Sequence, residues 1–108
     1  MPSASAASAR VWRLIAIAAL GAAQLFDYVS FMVMVERHGL AAELNPIVVT
    51  LHQTVGMVGL TVVKAAAVVF LASTATLLMP RRPGVAFGVL VIGIILGVAG
   101  GVSNVMTL

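Results

Sequence analysis

Asp27 and Lys64 carry the most chemical consequence in this sequence. Each stands inside a stretch that is otherwise nearly all hydrocarbon: Leu14 to Val35 is broken only by Gln24, Asp27 and Ser30, and Lys64 lies in the apolar run that ends at Met79. A charge at the centre of a bilayer costs about 2.5–3.5 kcal/mol on insertion scales, so such residues turn inward and take partners. Their depths can be compared. Asp27 precedes Val35 by eight residues, about 12 Å at 1.5 Å per residue. Lys64 follows Val55 by nine residues, about 13 Å from the same face. On antiparallel spans the two charges arrive at one level. A salt bridge that sets the register of the spans is one chemistry open to them. A proton or ion site, or a docking point for a polar group of a ligand, is the other. Lys64 alone could also snorkel along its stem to the interface.

A second polar group lies in the connection GLAAELNPIVVTLHQ, residues 39–53. Asn is a favoured helix N-cap and Pro a favoured first helical residue, so Asn45-Pro46 reads as a helix start. If residues 46–53 dip into the membrane, Glu43 and Asn45 form a polar cap above the level of Asp27 and Lys64. Irregular backbone is tolerated at that depth only where it is buried in protein or lines a wet cavity. The simpler alternative is that Asn45 caps, Pro46 starts the helix and Glu43 is solvated. His38, Glu43 and His52 could share a metal only if the loop folded back, and their spacing matches no standard ligand motif. No metal site and no cofactor is expected. Ser30, Ser73 and Ser103 lie in spans, where a hydroxyl bonds to the backbone carbonyls of its own helix. The sequence has no nucleophile–base motif, no phosphate loop and no dinucleotide fingerprint, and it contains no cysteine. An enzymatic role is not expected.

The elements that must position these residues follow from composition. The chain has 108 residues, of which 62% are hydrophobic and 8% charged, against about 25% charged in a soluble domain. Its natural solvent is lipid. The expected fold is all-α: one membrane domain with three transmembrane helices. Residues 1–11 are small and polar and are expected to fray. Residues 12–35 form span one, 36–54 the ELNP loop and a short helix, and 55–79 span two. Residues 80–84, PRRPG, form a turn, and 85–106 form span three. A straight helix from 46 to 79 would measure about 50 Å, well beyond the roughly 30 Å hydrocarbon core. A break near His52 to Gly56 is therefore expected, with 46–53 a short interfacial or re-entrant piece. RVWR followed by LIAIAALGAA has the look of a cleaved leader, but the apolar run continues through FMVMV, so the segment is read as a retained span. In span three Gly93, Gly97 and Gly101 recur on one face, a pattern that lets helices approach closely in lipid. Their partner is left open between the other spans, a second copy and another protein.

Charge sets orientation and excludes one class of partner. The formal net charge is +3, but the basic residues are scattered with no aromatic interleaving, so nucleic acid is excluded as a partner. Arg10 and Arg13 flank span one, Arg81 and Arg82 occupy the PRRPG turn, and the ELNP loop has Arg37 against Glu36 and Glu43. Positively charged loops stay in the cytoplasm. The N-terminus is expected inside, the ELNP loop outside, the turn inside and the C-terminus outside, in the inner (cytoplasmic) membrane.

An Asp late in the first span, a Glu-x-Asn-Pro loop and a Lys in the next span together resemble a family of small prokaryotic membrane proteins catalogued only as a domain of unknown function. The matching residues are Asp27, Glu43-Leu44-Asn45-Pro46 and Lys64, within about residues 14–79. The resemblance implies that these polar residues belong to one design, and it supplies no activity. The leading expectation is a non-enzymatic accessory or assembly subunit in the lipid bilayer, packing against itself as a homo-oligomer or against a larger membrane protein. The runner-up is a small transporter or ion-conducting oligomer using Asp27 and Lys64. A weaker third is an enzyme acting on a lipid at the ELNP cap. A dry pair would favour the first, a wet path the second, and an outward pocket holding Glu43 and a His the third.

Overall fold

The computed structural model describes residues 4–39, 43 and 45–108, the first three of these by backbone alone. It is all-helical among the described residues: α1 (Ala4–His38), α2 (Pro46–Leu78) and α3 (Pro83–Thr107). All three are long and apolar enough to cross a membrane, which makes the chain a small multi-pass membrane protein.

α1 is longer at both ends than its apolar run. The segment expected to fray is helical from Ala4. Ala is the strongest helix former, and Ala4, Ala6, Ala7 and Ala9 sit there. Extension from an existing span needs propagation only, not a new nucleus. At the other end the helix passes Val35 and stops at Gly39, whose φ is +77° and whose N–H donates to Val35 O at 2.8 Å. That is a left-handed glycine cap, which satisfies an orphan carbonyl of the last turn.

α2 starts as the sequence dictates. Asn45 is extended, its Oδ1 accepts from Ile47 N at 3.0 Å, and Pro46 is the first helical residue. The expected break falls at Gly56, with φ 73° and ψ −177°, a region of backbone space essentially reserved for glycine. The short helix expected over 46–53 is the first arm of α2, a run of helix that extends to the kink and is separated there from the longer second arm. The kink also brings Val55 against Gly59, where an added Cβ would lie 2.5 Å from Val55 Cβ.

α3 begins at Pro83, and its buried residues are Ala86, Leu90, Gly93, Gly97, Gly101 and Asn104. Their three- and four-residue spacing makes one face. α1 covers it. A Cβ on Gly93 would meet Leu20, one on Gly97 would lie 2.8 Å from the Ala23 backbone, and one on Gly101 would strike the Phe26 ring. The open partner of the glycine face is thus α1. Without a hydrophobic drive between helices in lipid, such backbone approach is what holds a pair together. α2 packs more lightly, against α3 more than against α1. Two apolar clusters result. Leu20, Ala75, Ala86 and Leu90 fill the end near the PRRPG turn. Phe31, Met34 and Leu60, with Val48 and Leu51 from the first arm of α2, fill the end near the ELNP loop. The polar residues lie between them.

Candidate functional site

α1 turns Gln24, Asp27, Tyr28 and Ser30 toward its neighbours, one to two turns of helix between the two apolar clusters. Gln24 Nε2 donates to Gly93 O at 2.7 Å. This ties α1 to the α3 backbone where the glycine leaves that carbonyl accessible. Asp27 is the hub. Lys64 Nζ on α2 donates to its Oδ2 and forms a salt bridge. Asn104 Nδ2 on α3 lies 3.2 Å from its Oδ1, 3.2 Å from its backbone O and 3.1 Å from Ser30 Oγ. Ser30 commits its hydroxyl proton to Asp27 O at 3.0 Å, so Ser30 Oγ accepts from Asn104. One carboxylate therefore joins all three helices.

One turn away a second bond links α1 and α2. Thr61 Oγ1 donates to Met57 O at 2.9 Å. Its single proton is committed there, so Tyr28 OH donates to Thr61 across 3.0 Å. The two helices that pack least are thus held by two polar links. Between them the bundle is open. Asp27, Lys64, Tyr28 and Asn104 border a cavity of about 560 Å³, and Glu43 and Asn45 border it too. The Asp27 and Lys64 side chains keep 22% and 26% of their surface accessible, so the pair is half-buried rather than dry. Ser30 and Asn104 are buried, at 6% and 4%. The bond energy is thus anchored on the α1–α3 side, and the charges face the cavity.

The loop above is tied to itself. Glu43 Oε1 accepts from Asn45 N at 2.9 Å, while Asn45 caps α2. Asn45 is a helix cap, and Glu43 is half-buried at the cavity edge rather than fully solvated. Leu44 of the four-residue motif lies outside the described residues. Pro46 is exposed and is the first helical residue of α2. The candidate metal set does not assemble among the described residues; His38 Nε2 instead lies 3.1 Å from Leu108 O.

Four contributors escaped the sequence reading: Tyr28 and Thr61, which link α1 to α2, and Asn104 and Gly100 on α3. Asn104 follows Gly97 by seven residues and Gly101 by three, so extending the glycine periodicity by one step would have found it. Gly100 follows Gly93 by seven residues and lies at the edge of the same face, and a Cβ there would sit 2.5 Å from Asp27 Oδ1. Its missing side chain is the room that the carboxylate occupies. No family model matches this chain, and neither a curated protein nor a solved structure matches it.

Proposed function

We propose that the chain is a non-enzymatic membrane protein that binds a small solute within the bilayer and passes it between the cavity and the outer face, with Asp27 and Lys64 in the binding wall. The observation that carries this reading is that the ion pair borders a cavity of about 560 Å³. A pair sealed on every side meets the full desolvation penalty, which can exceed its attraction, whereas the cavity leaves these two charges an accessible side on which a guest can be met. A cavity of this size is within the range of small-molecule sites, about 300–1,000 Å³. Glu43 and Asn45 stand at its edge. The resemblance of Asp27, Glu43, Asn45, Pro46 and Lys64 to the small membrane-protein family gives these residues one shared role on this reading. The arginine distribution supports an inner-membrane placement with the N-terminus in the cytoplasm and the ELNP loop outside.

The accessory-subunit reading keeps one observation in its favour. Along α2 only Leu60 and Ala75 are buried, which leaves the helix free to pack against a second copy or a larger membrane protein.

The natural absence of cysteine makes a direct test simple. Ala67 and Ser103 border the cavity. Ala67→Cys and Ser103→Cys should react in intact membranes with a charged, water-soluble methanethiosulfonate reagent, and Leu77→Cys on the lipid surface should not. Silence at both cavity positions overturns the binding reading in favour of the accessory one.

A further inference from the structure

Resting on the cavity as a binding site, we propose that its guest is a lipophilic organic monocation: an ammonium or similar charged centre carried on an apolar body. The first argument is charge. Of the ionised groups on the cavity wall, Asp27 and Lys64 neutralise each other. Glu43 is left over. Its Oε1 accepts from the Asn45 backbone N–H at 2.9 Å, a contact that orients the carboxylate without cancelling its charge. Among the described residues no basic side chain pairs with Glu43. A half-buried carboxylate with no counter-charge attracts a cation more strongly than a fully solvated one does.

The second argument is the remaining wall. Tyr28 and Phe31 bring aromatic rings to it, and the faces of such rings attract cations, organic ammonium groups above all. Leu60, Leu71 and Leu96 supply apolar contact. An anion would meet Glu43 and a lysine already committed to Asp27. A neutral guest would leave the Glu43 charge unmatched. A bare divalent cation asks for six or more oxygen ligands, whereas no group of three acidic or imidazole side chains is assembled among the described residues. A single positive charge on a hydrophobic frame matches Glu43, the two aromatic rings and the leucines of the lining.

The test uses two probes of nearly one shape and opposite charge, tetraphenylphosphonium and tetraphenylborate. The purified full chain in a mild detergent is brought to equilibrium dialysis with each, against empty micelles. Saturable uptake of tetraphenylphosphonium, with tetraphenylborate no better than micelles, is the expected result. Glu43→Gln should lower the cation's affinity by about tenfold or more, as loss of one poorly screened charge contact does. Glu43→Asp should restore most of it. Equal uptake of both ions, or full affinity in Glu43→Gln with an unchanged melting temperature, overturns the proposal. The two-ion comparison on the unaltered chain stands even if a variant fails to fold. Reactive cysteines at Ala67 and Ser103 together with no cation uptake would refute the cation and leave the binding reading standing. Silent cysteines and no uptake would remove both.

Discussion

Gly100 and Asp27 fit together as a space and its occupant: a Cβ on Gly100 would lie 2.5 Å from Asp27 Oδ1 and 2.8 Å from its Cγ. α3 approaches α1 closely enough that only the absence of a side chain lets the carboxylate stand between Lys64 and Asn104. Gly100→Ala should therefore push the carboxylate off its partners and lower the melting temperature of the purified protein. Gly88→Ala is the matched control, because a Cβ there meets nothing within 4 Å and Ala is a better helix former than Gly by about 0.8–1.0 kcal/mol. Equal melting temperatures for the two variants would mean that Asp27 has another place to go.

Loss of one charge should harm the fold more than loss of both. Asp27→Ala leaves Lys64 without its partner, which costs about 3 kcal/mol, the lower end for a broken buried pair because part of each side chain stays accessible. Asp27→Ala with Lys64→Met removes both charges and keeps much of the lysine's volume, so thermal stability in detergent should recover most of the loss. A double variant as unstable as the sum of the singles would make the two residues independent. If stability recovers while solute binding stays lost, the pair belongs to the wall of the site as well as to the fold.

Gly97→Leu should separate α1 from α3, since even a Cβ would lie 2.8 Å from the Ala23 carbonyl. Val98, its neighbour, is 44% exposed on the lipid side, and Val98→Leu should leave melting and yield unchanged. Close backbone approach is the basis of the contrast. Comparable losses from both would show that the tolerance of span three is set by insertion rather than by packing.

Orientation can be read with a reporter active only in the cytoplasm. Fusions at the N-terminus and at Pro83 should be active, and fusions at Leu40 and at the C-terminus silent, because Arg10, Arg13, Arg81 and Arg82 mark one side. Activity at Leu40 would invert the whole arrangement and turn the ELNP loop toward the cytoplasm.

Much of this was written in the local sequence because a bilayer leaves few solutions. The three spans follow from apolar length. The meeting of Asp27 and Lys64 follows from counting residues in from one face, since antiparallel helices of fixed rise must place equal counts at equal depth. The glycine face was legible as a face, but its partner was not: span periodicity says that a surface is smooth and is silent about which neighbour uses it. Asn104 was hidden for a related reason. Near the end of an apolar run a lone amide reads as an interfacial residue until α1 is placed beside it. The helical segment from Ala4 was misread because small polar residues lack core-forming side chains, while their alanine content suits a helix that is already growing. The cavity itself lay beyond reach, since it arises from how far α2 stands off α1, a distance that no single helix encodes.

The kink at Gly56 bears on how the protein fits the thickness of a membrane. Beyond it α2 runs from Met57 to Leu78, about 33 Å of helix, close to the hydrocarbon core of an ordinary bilayer. The ten residues before the kink are surplus to that span. In a continuous rod the surplus would force tilt or local thickening of the lipid, at a cost for each ångström of mismatch. With one glycine torsion between the two arms, the first arm leaves that axis and packs Val48 and Leu51 against Phe31 and Met34 instead. The arm bearing Lys64 is thereby matched to the bilayer by its own length, and the surplus ten residues do not have to be threaded through the lipid with it.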